Sequence, residues 1–267
     1  VARSVLQAIL KSGIERFVMI SCNPATLARD LGILTGTLRE ENGVLVKVPA
    51  AETGETTGKE SGKFFDGERF SLRIPGKFNV YDALVAIASA ALCGICAESV
   101  RKGLAETKIP GRMEIVEKKG ITVIVDYAHN ELSFESVFDH IEKFYPKSKV
   151  ICLFGCQGNK ALDRRTQLPQ VVGHHADFAV ITTDDPENED PKNILDEVGD
   201  AEMEKTPVPF VKIEDREKAV EFAIETAQNG DVVFLSGKGP ETTQKVHGKT
   251  VPYKGDMTSA LTALEKK

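Results

Sequence analysis

From residue 122 to the C-terminus, short apolar runs alternate with amphipathic segments. The runs at 122–125, 150–154, 178–182, 208–212 and 232–236 are close to continuously apolar rather than apolar at every second position, the pattern of strands covered on both faces. Between them, apolar side chains at helical spacing predict helices over 132–144, 166–172, 193–198 and 216–227, with a last helix over 257–264. Strand and helix in strict alternation imply an α/β fold: a Rossmann-like, doubly wound, mostly parallel sheet whose ligands lie at the carboxyl ends of its strands.

The first hundred residues are patterned differently. Helical spacing over 1–12, an apolar run over 17–20 and a segment over 25–34 capped by Asn23 and Pro24 predict a small helix, strand, helix appendage. Over 37–69 the periodicity breaks, Gly, Glu, Lys and Thr dominate 51–63, and only a brief strand at 44–48 is expected. A strand over 70–74 and helices over 78–93 and 97–104, separated at Gly94, follow. The expected organisation is an appendage over 1–38, a linker or seam over 39–69, a helical segment over 70–108 and the α/β domain over 109–267.

Composition narrows the function classes. With 34 Lys plus Arg against 40 Asp plus Glu the net charge is -6, so the basic excess that neutralises phosphates is lacking and nucleic acid is not an expected partner. The longest apolar stretch, 83–96, falls short of the ~20 residues of a membrane span. Five cysteines, an odd number, and no signal peptide predict reduced thiols and a cytoplasmic location.

Chemistry concentrates where the fold places ligands. Four apolar runs end in polar sequence: Asp126-Tyr127-Ala128-His129, Gly155-Cys156-Gln157-Gly158-Asn159-Lys160, Thr183-Asp184-Asp185-Pro186-Glu187 and Gly237-Lys238-Gly239-Pro240-Glu241. Their coincidence on one rim predicts a polar ligand site, with glycines letting backbone N–H groups approach an anion. Other motifs are decoys. The run from Gly54 to Glu60 lacks P-loop spacing and puts Glu60 where a magnesium-binding hydroxyl belongs. Cys93 and Cys96 are read as packing within an apolar helix rather than as zinc ligands, as is Cys152 within its strand, and no metal site is expected. His140, His174, His175 and His247 show no recognisable partner.

Read as a set, PGKFNVYDAL (75–84), PGRME (110–114), VDYAH (125–129), FGCQG (154–158), DDP (184–186) and GKGPE (237–241) resemble the Mur ligases from about residue 64 to the end. These ATP-dependent, amide-bond-forming enzymes add amino acids to UDP-N-acetylmuramoyl-peptides in peptidoglycan synthesis; the resemblance is to the type that adds lysine or diaminopimelate after L-alanyl-D-glutamate. It implies the end of the family's central domain over 70–108, its C-terminal amino-acid-binding domain over 109–267, ATP with Mg2+ in the complete enzyme, and a UDP-MurNAc-dipeptide and a diamino acid as partners. By resemblance Asn79 and Asp82 lie at the adenine, Arg112 reaches the γ-phosphate, Asp126 binds the ribose with His129 in the same nucleotide-binding set, and Arg165 holds the α-carboxylate and Glu241 the amine of the amino acid. Asp184, Asp185, Glu187, Gly237 and Lys238 complete the substrate pocket.

Departures from the family pattern sharpen the expectation. Asp82 replaces an Asn, Glu131 a Pro and Pro240 a His. Glu187 stands where diaminopimelate-adding relatives carry an Arg, and a carboxylate there favours the ω-ammonium of a lysine-like substrate over a second carboxylate. Lacking a P-loop, this chain is expected not to catalyse ligation alone. A second resemblance covers about 1–38, where SCNPATLARD (21–30) looks like the C-terminal part of RNA uracil-5-methyltransferases, with Cys22 as the matching nucleophile. That makes a methyltransferase fragment, or a degenerate binding module, the competing expectation.

Overall fold

The computed structural model describes residues 69–92 and 95–267, plus the backbone of strands β1 (Leu38–Glu41) and β2 (Val44–Lys47), which pair antiparallel. The elements expected over 1–34, and Cys22 with them, lie outside the described residues. The chain divides into two compact units. One comprises Val1–Leu72 and Val80–Glu106. It holds the β1–β2 hairpin, most of helix α1 (Lys77–Leu92) and helix α2 (Ala97–Glu106). The strand expected over 70–74 is irregular backbone; the alternation there is real in sequence, but Pro75 and positive-φ Gly76 already turn the chain toward α1.

The second unit, Arg73–Asn79 with Thr107–Lys267, is built on a six-stranded sheet. In chain order it runs β3 (Glu114–Lys118), β4 (Ile121–Asp126), α3 (Glu131–Phe144), β5 (Val150–Phe154), α4 (Arg164–His175), β6 (Phe178–Ile181) and α5 (Pro191–Asp196). A π-helical turn (Glu197–Glu202), β7 (Phe210–Lys212), α6 (Arg216–Thr226), β8 (Val232–Ser236), the hairpin β9 (Thr243–Val246) and β10 (Lys249–Pro252), and α7 (Asp256–Lys266) complete it. Spatial order is β3-β4-β8-β5-β6-β7, with β3 antiparallel to β4 and every other pair parallel. The fold is thus a mostly parallel α/β sheet with one antiparallel edge.

Both faces are covered, which explains the continuous apolar runs. Ile124, Cys152, Phe154 and Phe234 pack with Phe134, Phe138, Leu168 and Val172 of α3 and α4. Their strand neighbours Val123, Val125, Ile151, Leu153, Val233 and Leu235 pack with α6 and α7 on the opposite face. Among the described residues no helix is long and apolar enough to cross a membrane.

Asn130 links the end of the β4 loop to this core. Its side chain accepts from Ser133 N at 3.0 Å, and Ser133 Oγ accepts in return from Asn130 N at 3.2 Å, closing a capping box on α3. Asn130→Ala should lower stability by about 1 kcal/mol, read as an earlier midpoint in urea; an unchanged midpoint would show that the cap contributes nothing.

Candidate functional site

Strands β4, β8, β5 and β6 are consecutive neighbours and parallel, so the four polar loops that follow them leave from one edge of the sheet. β8 inserts between β4 and β5 after the chain has run outward through β6 and β7. That reversal of strand order opens the crevice in which such sheets bind ligands.

The loops are joined by charge contacts. Arg112 lies over the Tyr127 ring, 4.7 Å from its centroid. Tyr127 donates its hydroxyl proton to Glu241 Oε1 at 3.0 Å. Lys238, almost fully buried, bridges Glu241 Oε2 at 2.5 Å and Asp185 Oδ1 at 2.8 Å. Asp184 is buried beside this chain; desolvation raises its carboxyl above the usual range, and Arg216 and then Lys238 pull it back. The Cys156 thiol at the end of β5 is pushed up to about 12 by burial, which leaves it unreactive.

Asp126 serves the chain itself. Its Oδ2 accepts from Met113 N and its Oδ1 from Ala128 N, both at 2.8 Å. At 3% exposure it faces the protein's own amides, and burial raises its carboxyl first, with those two N–H groups pulling down. The glycines likewise pack loop on loop. Gly158 N donates to Asp185 O at 2.9 Å, and a Cβ on Gly158 would sit 1.9 Å from Pro186 O. This amide is spent on a neighbouring loop rather than left for an anion.

A second cluster surrounds Glu187. Lys160 Nζ lies 2.9 Å and Lys245 Nζ 3.6 Å from its Oε1, and the hydrogen bond from Lys160 draws the Glu187 carboxyl below the ordinary range. Glu187 is therefore a paired carboxylate, and the two lysines leave the cluster net positive. Arg165 is also engaged. Its Nη1 and Nη2 grip Glu189 at 2.8 and 2.7 Å, Nη1 also reaches Glu197 at 2.6 Å, and Nη2 donates to Gln157 O at 3.3 Å. A ligand carboxylate would have to displace Glu189, so the α-carboxylate contact expected of Arg165 is closed in this arrangement.

The remaining candidates are scattered. Asn79 donates from Nδ2 to Pro75 O at 2.5 Å and bends its own loop, Asp82 is exposed on α1, and the Nδ1 of His129 sits 2.7 Å from Tyr127 O. A cleft of about 480 Å³ beside Arg112 is lined by Arg73, Ile74, Pro75, Lys108 and Met113 among others. His175 and Cys96 depart from what the sequence predicts. His175 does have partners, Glu142 at 2.6 Å and Glu135 at 3.0 Å, and stacks on Phe138. Cys96 is exposed ahead of α2 rather than packed within an apolar helix. Among the described residues no group of three or more His, Cys, Asp or Glu is arranged to hold a metal ion.

Sequence reasoning missed Lys245, Glu189, Arg216 and Asp256. Lys245 lies in a polar hairpin whose pattern reads as loop, while Arg216 and Asp256 look like ordinary first-turn helix charges until the fold buries them.

Residues 111–239 match the family described as "Mur ligase, glutamate ligase domain". The UDP-N-acetylmuramoyl-L-alanyl-D-glutamate--2,6-diaminopimelate ligase of Caldanaerobacter subterraneus subsp. tengcongensis is 38% identical over 187 residues, 70% of this chain and 38% of that protein. The corresponding L-lysine ligase of Streptococcus sanguinis is 34% identical over 255 residues, 94% of this chain and 50% of that protein. The chain thus spans about half or less of the length of these relatives. A solved diaminopimelate ligase superposes with a TM-score of 0.55 at 25% identity, covering 74% of this chain and 40% of that one. Because the Streptococcus alignment leaves only 6% of the chain outside, it enters the segment 1–38, and the methyltransferase resemblance finds no support in these matches. The sheet order, the rim of loops and the family match agree, and residues 111–239 of the chain form a Mur ligase C-terminal domain.

Proposed function

We propose that this chain is the amino-acid-presenting end of an ATP-dependent UDP-MurNAc-peptide ligase of peptidoglycan synthesis, and that its amino acid is a lysine-like diamino acid. The observation that carries the reading is the unbroken path from Arg112 through Tyr127, Glu241 and Lys238 to Asp185, which draws three strand-end loops into one polar crevice. Relatives at 34% and 38% identity that are lysine and diaminopimelate ligases support the substrate class.

The residues fit the parts such a reaction needs. Apolar Ile74, Pro75 and Met113 beside the cations Arg73, Lys108 and Arg112 suit a nucleotide, the first set against a base and the second against phosphates. ATP would supply the phosphoryl group that activates the substrate carboxylate. Glu241, exposed on one side and already accepting from Tyr127, accepts from the α-ammonium of the incoming amino acid. Lys160 is 54% exposed and free to leave Glu187. The ω-ammonium of lysine takes its place there without changing the charge count, and the released Lys160 meets the α-carboxylate in place of Arg165. An ω-carboxylate would instead have to dislodge Glu187 from two lysines.

Calorimetry of the 267-residue chain with L-lysine and with meso-diaminopimelate, a non-hydrolysed ATP analogue present, tests this. Lysine is expected to bind about tenfold more tightly, a difference of about 1.4 kcal/mol, and Glu187→Gln should erase the preference. Tighter binding of diaminopimelate would reject the lysine-like reading; binding of neither would reject the pocket.

A further inference from the structure

Arg216 and Asp256 form the most deeply buried ion pair among the described residues, both side chains at 0% exposure. Arg216 opens α6 and Asp256 opens α7, 40 positions apart. The guanidinium grips the carboxylate at two points, Nε to Oδ1 at 2.9 Å and Nη2 to Oδ2 at 2.8 Å. Tyr253 donates its hydroxyl proton to the same carboxylate. The outward donors go elsewhere. Nη2 donates to Ser236 O at 2.5 Å and Nη1 to Thr183 O at 3.3 Å.

Those two carbonyls are the informative partners. Ser236 ends β8 and immediately precedes Gly237-Lys238, while Thr183 follows β6 and immediately precedes Asp184-Asp185. β8 and β6 are not neighbours; β5 runs between them. One side chain therefore spans a strand to join the two loops that supply Lys238 and Asp185 to the crevice. The loops have little slack, because a Cβ on Gly237 would lie 2.9 Å from Asp184 Oδ2.

A buried ion pair adds little net stability compared with a well-packed apolar pair of the same volume. What an apolar pair cannot provide is a rigid fork of donors aimed at two chosen carbonyls. We infer that Arg216 is a positioning residue, oriented by Asp256, that clamps the loops after β6 and β8 in one register so that Asp184, Asp185 and Lys238 face the crevice together. This deepens the reading of those loops as an amino-acid pocket and rests on it only for the binding consequence.

The double variant Arg216→Met/Asp256→Leu removes both charges while keeping the volume, and Arg216→Lys keeps the charge but not the fork. Amide hydrogen exchange of the ligand-free full chain is the first readout. Exchange over 183–187 and 237–241 should rise at least about tenfold in both variants while interior amides of β5 and β8 change less. L-lysine affinity should fall about tenfold in parallel. A folded variant whose loops exchange at the wild-type rate overturns the clamp, and should the double variant fail to fold, Arg216→Lys decides by the same measurement. Wild-type protein that binds no lysine would sink the pocket reading, and the exchange data would still judge the clamp.

Discussion

Lys238→Met is expected to destabilise the chain by about 3–5 kcal/mol, the range for removing one partner of a buried ion pair. The ammonium is 1% exposed and holds Asp185 and Glu241 at 2.8 and 2.5 Å. Asp185 Oδ1 also accepts from Lys245 N at 3.0 Å, so its carboxylate cannot swing out to water without breaking one of the hydrogen bonds that join the β6 loop to the β9–β10 hairpin. Methionine fills the space and leaves the carboxylates uncompensated. The sign with pH follows from linkage. Carboxylate partners raise Lys238 above its ordinary 10.5 despite burial, desolvation being the largest single influence and opposing them. Its contribution is therefore fully present below pH 10.5 and is lost as pH rises through the higher folded value. The gap between wild type and variant should be widest near neutrality and narrow in strong alkali. It should narrow toward acid as well, because Asp184, already raised by burial, loses one of the two cations that hold it down and takes up a proton more readily. Urea unfolding at acid, neutral and alkaline pH checks this; a small difference that is flat in pH would mean that the cluster is solvated and organises nothing.

How much of this was legible beforehand depends on what covers each segment. The central strands announce themselves because each is buried on both faces; Val150 to Phe154 and Val232 to Ser236 are buried at every position. β3 escaped notice because Glu114-Ile115-Val116-Glu117-Lys118 sits at the sheet edge, half-covered, with charges at both ends. β9 alternates between exposed and half-buried, β10 is exposed at three of its four positions, and each carries a single valine, so little in their pattern separates them from loop.

The location of the site was readable for a topological reason, since parallel strands deliver their C-terminal loops to one edge whatever those loops contain. The pairing inside it was not. Tyr127 and Glu241 are 114 positions apart, and Lys238 and Asp185 are 53; no local spacing connects them. The partners of Glu187 and Arg165 were hidden from motif reading for the same reason. Each was interpreted alone, and each turned out to be matched by charges from other loops, Lys160 and Lys245 for the one, Glu189 and Glu197 for the other.

Gly111→Ala should be among the most damaging single methyl additions in the molecule's crevice. Gly111 has φ +64, and a Cβ there would lie 2.2 Å from Pro240 N and 2.3 Å from Gly239 C. Both obstacles are backbone, so no rotamer change relieves them, and the loop carrying Arg112 must part from the loop carrying Glu241. Gly111 N also donates to Glu114 Oε2 at 2.8 Å, which ties the displaced residue to the start of β3. A loss of about 3 kcal/mol or more is expected, in the class of substitutions that break a special backbone conformation. Gly230→Ala supplies the control: its φ is +94 but nothing lies within 4 Å of the added carbon, so it isolates the positive-φ contribution, about 1–2 kcal/mol. The excess of the first over the second measures how tightly the two loops are pressed together. Lifting Arg112 away also removes the cation from the Tyr127 ring, 4.7 Å from its centroid, so the Tyr127 ring resonances should shift in Gly111→Ala and stay in place in Gly230→Ala. Equal stability losses with unmoved Tyr127 signals in both variants would show that the loops meet loosely, and that the crevice is assembled by something other than the contact between Gly111 and Pro240.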